Sequence, residues 1–122
     1  MRAGIFIPNG IVGEYAGWDA RQAWERSIAV GRLSEELGFD SVWTPDHMQN
    51  IREHNDAPSF ESVMHLMALA ENTQRVTLAS GVACNGFRNP ALLVKMMTTL
   101  DVASNGRAEI AIGAGWNAWE WN

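Results

Sequence analysis

Apolar residues along this chain gather into short runs of strand length that alternate with longer stretches of helical spacing. Residues 3–7 predict a buried strand, followed by a loop through Gly10, Gly13 and Gly17. Asp19 opens a helix, because Asp19 with Gln22 resembles a capping box. Ala23, Trp24, Ile28, Leu33 and Leu37 then recur at roughly helical intervals, and Gly38 supplies the stop. Residues 41–44 predict the second strand, which Pro45 ends because proline cannot donate to a sheet ladder. Asp46-His47 and a polar loop follow. Ser59, after Pro58, is the predicted N-cap of a second helix with Phe60, Val63, Met64 and Met67 on one face and Asn72 at its end. Residues 76–81 predict the third strand. Asn89 caps a third helix with Pro90 in its first position and Leu92, Leu93, Met96, Met97 and Leu100 as its buried stripe, and residues 107–113 predict a fourth strand.

Predicted strand starts lie about 32 to 38 residues apart, each gap filled by one helix. That is the rhythm of successive right-handed βαβ units, so the sheet is expected to be parallel. A doubly wound sheet and a (β/α)8 barrel share this alternation. An eight-stranded barrel needs about 250 residues, so 122 residues can hold only about four βα units, β-α-β-α-β-α-β, half of one.

Composition narrows the partners. Apolar residues make up 47% of the chain, enough for a globular core. A formal charge of -5 and the lack of any basic run argue against nucleic acid or an anionic membrane as partner. No segment of the sequence approaches the roughly 20 apolar residues of a membrane span. Cys84 is the single cysteine, which rules out an intrachain disulfide and suits a reducing cytoplasm.

The unusual chemistry sits where predicted strands end, the place where parallel α/β proteins bind small molecules. His47 follows the second strand directly after Asp46 and can serve as a general acid/base, since imidazole exchanges a proton near neutral pH; the plainer reading is a solvated loop pair. His54 lies in the following loop and His65 falls off the apolar stripe of the second helix, so both are expected at the surface. Metal-ligand spacings are missing. After the third strand, Gly81 to Gly86 combines glycines and small residues, letting backbone approach a flat ligand closely. Arg88 is open to two readings, an anion ligand or a salt bridge with a neighbouring helix. Gly113-Ala114-Gly115 is a weak match to a dinucleotide fingerprint. Trp116, Trp119 and Trp121 are expected to form an aromatic patch.

Several motifs in order along the chain carry a family resemblance. Gly4-Ile5-Phe6-Ile7-Pro8, Glu36-Leu37-Gly38-Phe39-Asp40-Ser41-Val42-Trp43 with Asp46-His47, Arg88-Asn89-Pro90-Ala91-Leu92-Leu93, Leu100-Asp101, and Gly106-Arg107 through Gly113-Ala114-Gly115-Trp116-Asn117 resemble the luciferase-like flavin-dependent oxidoreductases, including their deazaflavin (coenzyme F420) branch. The resemblance implies a (β/α)8 TIM barrel holding F420 or FMN at the carboxyl ends of its strands, with residues 1–122 as its amino-terminal half. It implies a non-proline cis peptide at Gly81-Val82 backing the ring, with Ala83 beside it. By the same likeness Asp46-His47 matches the family's acidic-His pair next to the ring, with His47 managing a substrate proton. Gly115 and Trp116 match the segment lining the ring pocket, although Trp116 stands where some members carry a small hydroxylated residue.

The expected function is therefore hydride transfer between F420 and a small organic substrate, with an FMN monooxygenase using reduced flavin and O2 as the alternative. A reading from another class is a non-catalytic half-barrel that survives as a homo-oligomer through its open sheet edges. Barrel phosphate sites come from loops after strands seven and eight, which residues 1–122 do not include. The 122-residue chain by itself is accordingly expected to be inactive and to bind either cofactor weakly or not at all; a fluorescence titration giving micromolar affinity for FMN or F420 would overturn this.

Overall fold

A computed structural model describes residues 1–52 and 56–121. Its elements run β1 (Gly4–Phe6), α1 (Ala20–Glu36), β2 (Ser41–Thr44), α2 (Ser62–Asn72), β3 (Thr77–Cys84), α3 (Pro90–Ala103) and β4 (Ala108–Gly113), closed by one 3-10 turn, Ala118–Glu120. The strands form one parallel sheet in the order β1-β2-β3-β4, each joined to its neighbour through a helix. His54 lies outside the described residues.

Strand register separates the two faces of the sheet. Ile5, Val42, Leu78 and Ala108 stand side by side and meet the helices. With Val63, Leu66 and Leu69 of α2 and Leu93, Met97 and Leu100 of α3 they make the core. One residue along each of the first three strands, Phe6, Trp43 and Ala79 lie on the opposite face, where Phe6 is 57% exposed. Helices thus cover one face only, the layering expected of a barrel wall.

Helix starts follow their caps. Asp19 accepts hydrogen bonds from the Arg21 and Gln22 amides, and Asn89 accepts from Ala91 ahead of Pro90. The second start differs from expectation. Glu61, not Ser59, caps α2 by accepting from Met64. Phe60 precedes the helix because its own amide is engaged by the Asn9 carbonyl, which ties this segment to the β1–α1 loop. Strand limits shift as well: β1 is shorter than residues 3–7, β3 starts one residue later than predicted and runs on to Cys84, and β4 begins at Ala108. Arg107, just before β4, donates to Ala70, Thr73, Val76 and Ser104, closing the carboxyl ends of α2 and α3 with one planar guanidinium. At the end of α1, burial pushes the Glu35 carboxyl up, but the amides of Gln74, Arg75 and Val76 outweigh it and hold it below its ordinary value.

The buried stripe of α1 is made mostly of small residues. Ala23, Ser27, Ile28, Gly31 and Ser34 are buried, while Leu33 and Leu37, expected inside, are exposed. α1 comes so close to α2 that a Cβ on Gly31 would overlap Leu69; there is no room for a larger side chain at that position. Met64 and Leu92 are likewise exposed.

His65 is the largest reversal. Expected at the surface, it is wholly buried, packed between the rings of Trp24 and Phe60. The Ser27 hydroxyl donates to the Pro8 carbonyl at 2.5 Å, so His65 Nε2–H donates to Ser27 Oγ at 2.7 Å. Nδ1 then has no hydrogen-bond partner. Burial lowers the imidazole pKa from 6.5 to about 4. A group that protonates more readily in the unfolded chain destabilises the fold as pH drops: the loss begins near 6.5 and levels off near 4. Between about pH 7.5 and about pH 5 the His65 contribution should fall by about 2 kcal/mol. Urea melts at the two pH values should show this loss in the wild type and a clearly smaller one in His65→Gln.

Candidate active site

β2 and β3 end side by side, and one buried carboxylate joins them. Asp46, two residues beyond β2 and 4% exposed, accepts from the Cys84 amide at 2.9 Å and from Arg88 through both oxygens, at 2.6 and 2.8 Å. Arg88 also pairs with Glu61 at the start of α2. The Asp46 hydrogen bond, reinforced by both carboxylates, raises the Arg88 pKa against the opposing effect of burial. Of the two readings of Arg88, the structure shows the ion pair. Asp46 therefore spends its carboxylate on structure and not on the neighbouring imidazole.

The strand held by this pin is bulged. The β3–β4 register slips between Ser80 and Ala83, and the Gly81-Val82 peptide is cis. A Cβ on Gly81 would lie 2.7 Å from the Trp43 ring and 3.2 Å from Phe6, so only glycine lets the backbone approach these rings. Val82 is half-exposed. Ala83 turns the other way, into the core. Beyond β4, Gly115 adopts φ +83° and passes over Cys84, whose Sγ would sit 2.7 Å from any Cβ there. Among the described residues no helix follows Gly113-Ala114-Gly115, only the 3-10 turn, so none of them supplies the helix start that a dinucleotide fingerprint uses to hold a pyrophosphate.

His47 is held from that turn. Its Nδ1 lies 2.9 and 3.1 Å from the two Glu120 oxygens, and the Met48 amide donates to Glu120 at 2.6 Å. The Glu120 side chain is 1% exposed and that of His47 15%. Trp116 stands edge-to-face to the imidazole, ring centroids 6.0 Å apart. Nε2 makes no hydrogen bond to any described residue. Sequence reasoning missed Glu120, because its contact with His47 spans 73 residues and no local pattern marks it.

A pocket of about 170 Å³ is lined by Asp46, His47, Gly81, Val82, Gly115 and Trp116, with Pro45, Cys84, Phe87 and Glu120 completing it. Six of the seven expected site residues thus converge; Ala83 lines none of it. Pro45 and Gly81 also border a second cleft of about 510 Å³, with Phe6, Ile11 and Val12 on its apolar walls. A hollow of about 540 Å³ at the opposite end of the sheet has Arg2, Asp40, Arg75 and Glu109 in its wall and none of the candidate residues. Among the described residues no group of acidic, histidine or cysteine side chains could hold a metal ion and no helix is long and apolar enough to cross a membrane.

Residues 1–121 match the family model described as luciferase-like monooxygenase. This chain belongs to that family. An F420-dependent glucose-6-phosphate dehydrogenase of Intrasporangium calvum is 40% identical over 103 residues, covering 81% of the chain and 30% of the relative. The 5,10-methylenetetrahydromethanopterin reductase of Methanolobus tindarius is 33% identical over 84 residues, 69% of the chain and 23% of the relative. Among solved structures, monooxygenase RslO1 from Streptomyces bottropensis superposes with a TM-score of 0.78 at 28% identity, covering 95% of the chain and 34% of that protein. An F420-dependent secondary alcohol dehydrogenase, solved with an F420-acetone adduct, gives 0.71 at 28% identity, covering 93% and 32%. The luciferase-like chain spans less than a third of the length of the dehydrogenase and reductase relatives from Intrasporangium and Methanolobus. Its four-stranded parallel sheet is α/β and corresponds to part of a TIM-barrel enzyme.

Removing Arg88 should expose the importance of the pin. Arg88→Met leaves a buried, unpaired Asp46 and should cost about 3 to 5 kcal/mol, measured by urea melts; Asp46→Asn with Arg88→Met should recover part of the loss.

Proposed function

We propose that the luciferase-like chain forms the ring-binding and proton-handling part of an F420-dependent oxidoreductase acting on a small organic substrate. What carries this reading is His47: its Nδ1 is anchored, its Nε2 is unspent among the described residues, and it borders a pocket walled by Val82 and Trp116. Similarity to F420-dependent relatives supports the same branch.

The residues present fit the flat part of such a cofactor. Phe6, Val82 and Trp116 offer exposed apolar surface around the cis peptide, and Gly81 and Gly115 keep the backbone free of side chains there. Charged tail groups are a different matter. Arg88 is occupied by Asp46 and Glu61, and no arginine or lysine lines the pocket among the described residues. When bound, F420 supplies the ring carbon that accepts or donates a hydride. Val82, with Gly81, would back the ring and Trp116 would flank it. His47 Nε2 would take the proton released from a substrate hydroxyl, or return it in the reverse direction. Asp46 would act by holding the bulge in place.

The test is turnover by an enzyme carrying residues 1–122, assayed with F420 and a panel of small alcohols and, separately, with FMN, NADH and O2. F420 reduction is expected, and His47→Asn should lower kcat about 100- to 10,000-fold. Turnover confined to FMN and O2 would overturn the F420 assignment, and an unimpaired His47→Asn enzyme would overturn the role of the imidazole.

A further inference from the structure

Two carboxylates lie close to His47, and they differ in what they are free to do. Asp46, its neighbour in sequence, is saturated by Arg88 and the Cys84 amide. Glu120 comes from the turn after β4 and meets two donors among the described residues, the Met48 amide and the His47 ring nitrogen. Its carboxylate is almost wholly shielded from water. The turn that presents it is itself held, since the buried Asn117 side chain accepts from the Trp119 amide.

With Glu120 ionised and the imidazole neutral, proton bookkeeping at this contact has one solution. An ionised carboxylate only accepts hydrogen bonds. The Met48 amide always donates, so His47 Nδ1 must also carry a hydrogen to face Glu120. A neutral imidazole with its hydrogen on Nδ1 has its lone pair on Nε2. Trp116, packed edge-on against the ring, opposes a flip that would exchange the two nitrogens.

We propose that Glu120 is a positioning residue that locks His47 in the Nδ1–H tautomer and so makes Nε2 the proton acceptor. This rests on the reading of His47 as the proton-handling group. It places the partner of the imidazole 73 residues away, whereas the order of the sequence points to Asp46. The arrangement follows the general logic of an oriented base, in which a third group fixes the tautomer without touching the substrate.

Nitrogen-15 NMR of histidine-labelled chain at about pH 8, above the ordinary imidazole titration, reads the tautomer directly. The wild type should show His47 with a protonated Nδ1 and a bare Nε2. Glu120→Gln should reverse this, because its amide oxygen is taken by the Met48 amide and its NH2 group must then face Nδ1. Glu120→Asp, which keeps an acceptor-only group, should retain the wild-type pattern. Circular dichroism melts report whether each variant folds. A wild-type His47 protonated on Nε2, or a folded Glu120→Gln that keeps Nδ1–H, overturns the proposal. If Glu120→Gln does not fold, Glu120→Asp decides, and loss of its Nδ1–H form counts against it. In the enzyme, Glu120→Gln should lower kcat by at least about tenfold with KM little changed. An active His47→Asn enzyme would defeat the functional reading and leave the NMR result standing, while an inactive one beside an unchanged tautomer in Glu120→Gln would defeat this inference alone.

Discussion

The bidentate pair between Asp46 and Arg88, with the Cys84 amide as a third donor, is the constraint on which the rest of the site depends. It joins the exit of β2 to the far side of the β3 bulge and, through Glu61, to the start of α2. A carboxylate this deeply buried is tolerable only because charge and hydrogen bonds both compensate it. The same compensation fixes the backbone on either side. His47 follows immediately, so its backbone position is set by the pin, while the cis peptide is anchored from Cys84 backwards.

That division of labour explains how two adjacent residues come to serve different ends. Asp46 turns inward and becomes part of the scaffold. His47 turns to the pocket and is held by Glu120 from a separate element. Rigid support of this kind matters for proton transfer, because a base contributes only when it stands within hydrogen-bond reach of the proton it moves. The loops at this end of the sheet can place side chains accurately because the pin and the Glu120 contact take up their freedom.

The one-sided core tells a related story about the fold. α1, α2 and α3 bury the face carrying Val42 and Leu78, while Phe6 on the other face stays open. Helix starts at Asp19 and Asn89 were legible because a cap is a local event, a side chain accepting amides two or three residues on. The α2 start was not, since Phe60 is claimed by Asn9 across the fold. The small-residue stripe of α1 and the buried His65 escaped the hydrophobic pattern for the same reason: close helix approach selects Gly31 and Ser27, and a neutral histidine can be buried where Ser27 and two aromatic rings receive it.

What the sequence by itself determined is the alternation of strand and helix, the parallel sheet, the family, and the clustering of Asp46, His47, Gly81, Val82, Gly115 and Trp116 at strand ends. These depend on periodicity, caps and ordered motifs, all of which are written locally. Only the tertiary structure decided the partners: that Asp46 belongs to Arg88, that His47 belongs to Glu120, that Ala83 enters the core and that His65 is buried. Each of those outcomes is a contact between residues distant in the chain or a choice of which face packs, and such contacts exist only once the sheet has brought the strand ends together.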